Sequence, residues 1–263
     1  PPGGSLSEVV GDALEAAALG KADAELLACE AAFAALLLGA DANEPAPMTG
    51  ITPLMMAAEE GQRRLCELLL AHGADADRAS VGGSTALGLT LGGCPACPEA
   101  SECGGKCQRP ATARLLLRHT REALPESLRA AVRMALQDLV YLPVVKAFVE
   151  ERGVDVNADL AGPDGRQGTA LSCALERRVD PVEGPLAHRP EVVGALLALG
   201  ADAGRPGPYT AWWGGASASC LLQFAAVNGC DAATLRLLGG AQPPAAGDGG
   251  ECCVFLAAAQ ALQ

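Results

Sequence analysis

The clearest pattern of apolar and polar positions in the chain lies around Thr52-Pro53-Leu54-Met55-Met56-Ala57-Ala58. Leu54, Ala57 and Ala58 recur with helical spacing and fall on one face of a short helix. Thr52 is placed to cap that helix with its hydroxyl, and Pro53 occupies the first helical position, where a missing N–H costs nothing. Gly61 ends this helix, and a second apolar helix runs to Leu70. Gly73 then supplies the positive φ that terminates the second helix. Two short helices sharing one apolar stripe cannot bury it by themselves, so the pattern calls for neighbours of the same kind.

The neighbours are present in the sequence. Gly39-Ala40-Asp41, Gly153-Val154-Asp155 and Gly200-Ala201-Asp202 repeat the ending Gly73-Ala74-Asp75. Thr85-Ala86-Leu87 and Thr169-Ala170-Leu171 repeat the Thr52 start, and Thr52 to Thr85 is a step of 33 residues. Weaker copies begin near Cys220, with Ala225-Ala226 and Gly229, and near Cys253, with Ala258-Ala259. A further helical pair is expected over Ser127–Gln137 and Pro143–Glu151, ahead of Gly153.

The combination T-P-L, A-A, a glycine, a leucine run and G-A-D at this period resembles the ankyrin repeat. Met55 stands where that family usually has His. The resemblance covers nearly the whole chain and implies an all-α solenoid of stacked helix-turn-helix units, a single domain over residues 1–263. About six repeats are expected, plus a partial one at the C-terminal end. The pair Leu6–Leu38 is the most divergent and reads as a capping repeat.

Departures from the period locate three loop insertions. From Leu68 to the equivalent leucine run at Leu115 is 47 residues, 14 more than the repeat, and Cys94 to Cys107 is a block of that length. The second insertion spans 177–190 and the third 204–216. The first holds Cys94, Cys97, Cys103 and Cys107 in the spacing C-x2-C-x5-C-x3-C, interleaved with Pro95, Pro98, Gly104 and Gly105. Four thiolates can close a tetrahedral zinc site, with the C-x2-C half delivering two ligands from one tight turn. The span is similar to that of a zinc knuckle, with Cys replacing His one place later. A site filled by four protein ligands is structural, folding a loop too short to fold alone. Two disulfides, or four free thiols, remain the other readings of the same residues. The other seven cysteines lie in apolar helical patterns and read as small core residues of a reducing, intracellular, cytoplasmic protein.

Composition adds exclusions. Half of the residues are hydrophobic but only 3% aromatic, so the core is built from Ala, Leu and Val. The net charge of −12 argues against nucleic acid and anionic lipid as partners. The longest uncharged run, Pro206 to Cys230, is too broken by Pro, Gly, Gln223 and Asn228 to span a membrane. The chain opens on Pro1-Pro2 and not on Met. No nucleophile elbow, zinc-protease helix or phosphate loop is present, and His72 and His119 sit just before helix ends, where a cation or donor is favourable. An enzyme is not expected.

The ankyrin resemblance implies that a protein partner docks on the turn residues before each T-P-L start and on the residues after each A-A. By position these are Met48, Thr49 and Ile51, then Val81, Gly82 and Ser84, then Gly165 and Arg166. The second set is Glu59 and Glu60, Glu176 and Arg177, and Val227 and Asn228. Tyr209, Trp212 and Trp213 form a separate candidate: three of eight aromatic residues within one insertion, either interface anchors or a cover for a neighbouring repeat. The expected function is a non-enzymatic scaffold for protein partners with basic surface. The alternatives are an architectural subunit of a large axonemal or organellar assembly, or the adaptor part of a longer enzyme.

Overall fold

The computed structural model describes residues 5–18, 24–92, 108–121, 125–161, 167–176, 179–180, 184–185, 189–210 and 217–241. The chain divides into two compact units, Pro1–Ala123 and Leu124–Gln263. The sequence reading treats 1–263 as one domain. In a repeat array each helix pair touches only its neighbours, so nothing in the repeat pattern itself marks such a division.

Unit 1 contains α1 (Leu6–Ala18), α2 (Ala24–Leu37), α3 (Pro53–Glu59), α4 (Arg63–Ala71), α5 (Ala86–Thr90) and α6 (Arg109–His119). The first helices of each pair stack as α1, α3 and α5, the second helices as α2, α4 and α6. The predicted caps form: the hydroxyls of Thr52 and Thr85 accept from the backbone N–H groups of Met55 and Gly88 at 3.3 and 3.2 Å. Leu54, Ala57 and Ala58 are buried, as is Met55 at the position where the repeat usually has His. Gly73 ends α4 at φ +86°, as its place in the pattern requires.

Unit 2 contains α7 (Pro125–Gln137), a 3-10 turn at Leu139–Tyr141, α8 (Leu142–Glu150), α9 (Ala170–Leu175), α10 (Pro190–Ala198), α11 (Leu221–Val227) and α12 (Ala232–Ala241). Here α7, α9 and α11 form one row and α8, α10 and α12 the other. Thr169 and Ser172 close a full capping box on α9, each side chain bonded to the other's backbone N–H at 3.2 and 2.9 Å.

The fold class is the expected all-α one, with an addition the repeat pattern did not show. Three short antiparallel hairpins join the helices of unit 2: β1 (Leu160–Ala161) with β2 (Gln167–Gly168), β3 (Val179–Asp180) with β4 (Gly184–Pro185), and β5 (Pro206–Thr210) with β6 (Ser217–Cys220). The second predicted insertion, 177–190, therefore contains the β3–β4 pair, and the third, 204–216, contains β5, whose partner β6 lies just beyond it. Strands of two to five residues are too short to display a period-two pattern.

The G-A-D endings are tied from one repeat to the next. Within each, the Asp carboxylate accepts from the N–H two residues on: Asp41 from Asn43, Asp75 from Asp77, Asp155 from Asn157 and Asp202 from Gly204, at 2.8 to 3.1 Å. Asn43 then donates to Gly73 O and accepts from Asp75 N, at 2.9 and 2.7 Å. Asn157 makes the same pair with Gly200 O and Asp202 N at 2.9 and 2.8 Å. Arg78 donates to Asn43 O at 2.8 Å, and Arg205 donates to Asn157 O in the same way. Asp77 continues the ladder by accepting from Arg121 N.

Candidate functional site

The turn before α3 and the turn before α5 form two adjacent fingers on unit 1. The first is closed by Ala46 N–H donating to Ile51 O and Gly50 N–H to Ala46 O, at 2.8 and 2.9 Å. The second is closed by Ser80 N–H to Ser84 O and Gly83 N–H to Ser80 O, both 2.9 Å. Val81 N–H donates to Thr49 O at 3.0 Å and so joins the two fingers. Gly50, at φ +69°, lies so close to Val81 that a side chain there would meet its backbone and its Cγ2. The fingers end in bare apolar side chains, with Met48 90% and Val81 81% exposed. Thr49 and Gly82 are exposed beside them, while Ile51 and Ser84 are half-buried at the finger bases.

At the far end of α3, Glu60 is exposed and Glu59 half-buried, which gives the same unit an acidic margin. In unit 2, Glu176 caps α9 and is half-buried, and Val227 is 40% exposed at the end of α11. Asn228 departs from the expected surface position. It is 1% exposed, and its side-chain amide folds back to donate to Phe224 O at 2.7 Å, satisfying a carbonyl at the end of α11. Tyr209 sits on β5 opposite Ala218. Trp212, Trp213, Gly165, Arg166, Arg177 and the four insert cysteines, Cys94, Cys97, Cys103 and Cys107, lie outside the described residues. Among the described residues no group of three or more His, Cys, Asp or Glu side chains could hold a metal ion, and no helix is long and apolar enough to cross a membrane.

The chemistry that sequence reasoning missed is a pair of arginine clamps, Arg109 buried and Arg189 half-buried. Arg109, 1% exposed at the start of α6, donates through its three guanidinium nitrogens to Glu59 O at 2.6 Å, Leu89 O at 2.6 Å and Thr90 O at 3.3 Å. These are carbonyls at the C-terminal ends of α3 and α5, where the helix dipoles place partial negative charge. Arg189, just ahead of α10, donates to Leu136 O and Gln137 O at the end of α7, at 2.7 and 2.9 Å. Both arginines precede a proline at a helix start, Arg109-Pro110 and Arg189-Pro190, and that repeated dipeptide is the signal in the sequence. Arg109 clasps the flanks of the four-cysteine insertion: Leu89 and Thr90 lie just before it and Arg109 just after.

Burial disfavours the reactive thiolate at Cys66 and Cys230. Desolvation, aided by the nearby Glu25, pushes the Cys66 thiol far above its ordinary value, and desolvation with the neighbouring Asp231 carries Cys230 up to about 12.

A family model described as ankyrin repeats, in three copies, matches residues 25–94. No curated protein matches the chain by sequence. Among solved structures, the crystal structure of EF0377, an ankyrin repeat protein, is 18% identical over 87% of this chain and 96% of its own, with a TM-score of 0.55. A structure of the predatory endopeptidase Bd0816 from Bdellovibrio bacteriovorus in complex with immunity protein Bd3460 is 18% identical over 91% of this chain and 99% of the matched one, with a TM-score of 0.53. At these identities the likeness is one of fold. Residues 25–94 match the ankyrin-repeat family, and along the rest of the chain the stacked helix pairs, the G-A-D turns and the likeness to EF0377 show the same helix-turn-helix fold.

Proposed function

We propose that the chain is a non-enzymatic interaction module whose finger face on unit 1 receives a protein partner with an apolar anchor and a basic surface. The observation that carries this reading is the exposure of Met48 and Val81 at the tips of two hydrogen-bonded fingers. Side chains of this size on a backbone already fixed by hydrogen bonds bury apolar area when covered, with no loop to be ordered on binding. The acidic margin of Glu59 and Glu60, in a chain of net charge −12, favours a basic partner and speeds its approach.

The test is quantitative mass spectrometry of proteins retained from a native extract. Met48→Asp with Val81→Asp is expected to lower recovery of the specific partner at least tenfold, about 1.4 kcal/mol, while leaving the melting temperature unchanged because both side chains are already solvated. An unaltered set of retained proteins defeats the reading. Tyr209, Trp212 and Trp213 are proposed as a second anchor, with Glu176, Arg166, Arg177 and Val227 as polar and apolar surroundings. Trp212→Ala with Trp213→Ala is then expected to weaken partner binding by unit 2 with little loss of stability.

Zinc binding by Cys94, Cys97, Cys103 and Cys107 is part of the same proposal. What supports it is the thiol spacing together with the Arg109 clasp, which brings the two flanks of the insertion onto one buried side chain. Protein purified under reducing conditions should contain one zinc per chain, lost on replacing Cys97 and Cys103 by Ser. Metal analysis showing no stoichiometric zinc in the unaltered protein rejects it.

A further inference from the structure

Helix α2 is apolar apart from Glu25 and Glu30, with apolar residues on its outer side as well as on its inner one. Its inner side is covered: Ala28 and Ala32 are fully buried, and Glu25 accepts from Arg64 N–H at the start of α4 at 2.9 Å. Its outer side is not. Leu26 and Leu27 are half exposed, Phe33 is 44% exposed, and Leu37 and the following Leu38 are 68% and 81% exposed. The ring of Phe33 is braced on one edge by His72 at 5.9 Å, which fixes it without covering it. None of these residues belongs to the finger tips, and they play no part in the interaction face proposed above.

The spacing of the outer stripe carries the argument further. Leu26, Glu30, Phe33 and Leu37 follow one another at intervals of four, three and four, the seam of a two-helix coiled coil. The stripe is nearly palindromic, with a leucine pair at each end. Laid antiparallel on itself, it sets Leu26 against Leu37 and Glu30 against Phe33, so each glutamate meets a ring edge and not its own copy. Self-complementarity of this kind is what a twofold interface needs. Leu26, Phe33 and Leu37 with the flanking Leu27 and Leu38 expose about 500 Å² per copy, so a second copy covers at most about 1,000 Å² in total, the lower bound for a specific interface. Only one charged residue, Glu30, lies on the stripe, so nothing on it selects a basic or acidic partner over a second copy.

We propose that the outer face of α2 is the interface of an antiparallel twofold homodimer in which Leu26 of each copy packs against Leu37 of the other. The expected dimer is weak and reversible, with a dissociation constant on the order of 10 µM. Each copy carries a net charge of −12, so added salt strengthens association by screening the repulsion, the reverse of its effect on a basic partner.

The experiment is sedimentation equilibrium of the full chain over about 1 to 200 µM, a range bracketing that dissociation constant. The expected result is a reversible monomer–dimer equilibrium, tightened at higher salt. Leu26→Glu and Leu37→Arg are each expected to be monomeric with unchanged circular dichroism, and an equimolar mixture of the two is expected to form a heterodimer. That rescue follows because Glu at 26 then faces Arg at 37 at one end, while the original leucines meet at the other. Should either variant fold poorly, Glu30→Leu provides an independent reading, since it should tighten the dimer several-fold. A monomer throughout the range, a dimer indifferent to both substitutions, a mixture that stays monomeric, or a Glu30→Leu dimer no tighter than the original overturns the proposal.

Discussion

Replacing Arg109 by Met is expected to destabilise unit 1 by about 3 to 5 kcal/mol, among the largest effects of any single substitution outside its leucine core. Met roughly preserves the volume, so the loss is not one of packing. What disappears is the charged donor to Glu59 O, Leu89 O and Thr90 O at the ends of two helices, and Leu89 O keeps only backbone donors such as Gly92 N–H at 3.1 Å. Lysine is not expected to rescue the substitution. A single ammonium cannot reproduce a planar fork that reaches carbonyls on two separate helices, and a buried ammonium has a larger hydration to give up. The measurement is hydrogen exchange of the amides in α3 to α6, because both tryptophans lie outside this unit and bulk fluorescence would report elsewhere. Protection retained at the level of the unaltered protein refutes the expectation. Arg189→Met, which abandons two carbonyls on one helix, should cost unit 2 less.

Gly61→Ala is expected to approach the same size, about 3 kcal/mol, through a different route. Gly61 is held at φ +69°, a conformation that costs a residue with a Cβ about 1 to 2 kcal/mol. The new Cβ would also lie 2.5 Å from Arg109 Cγ and 3.2 Å from Arg109 N, inside the space that side chain needs to reach its carbonyls. Gly73→Ala supplies the calibration: its φ is +86° but nothing lies within 4 Å of the added carbon, so only the conformational part remains. The two effects can be separated by a double-mutant cycle. With Ala at 109 the Cγ is gone, and Gly61→Ala should then cost about 1 kcal/mol less than it does beside the arginine. Strict additivity, or equal costs at positions 61 and 73, counts against the argument.

Much of the fold could be read from the sequence because ankyrin repeats state their punctuation in local chemistry. Thr52 and Thr85 cap helices, Gly73 and Gly200 end them, and each role is satisfied within a few residues of chain. The parts that escaped depend on partners far away. Arg109 looks in sequence like a solvated charge after a loop, and only the arrival of Glu59 and Leu89, 50 and 20 residues distant, makes burial its better state. Asn228 was assigned to the surface by its position after Ala225-Ala226, yet its amide finds the carbonyl of Phe224 four residues back. The hairpins of unit 2 were read as loops because their strands are too short to alternate visibly. Of the residues that position within the repeat puts on the proposed interaction face, Met48, Thr49 and Val81 are exposed, and Val81 N–H bonds to Thr49 O.

The clasp made by Arg109 also bears on how this chain could have acquired its four-cysteine insertion. In a flexible loop the entropy of closure grows only slowly with length, about 0.6 kcal/mol for each doubling. Here the two flanks are already pinned by one buried side chain, so segments of very different length can be spliced between Thr90 and Arg109 with little consequence for the helices on either side. That junction is therefore a natural cloning site, a place where a foreign loop, an epitope or a second binding element could be grafted while the repeat register of unit 1 is preserved.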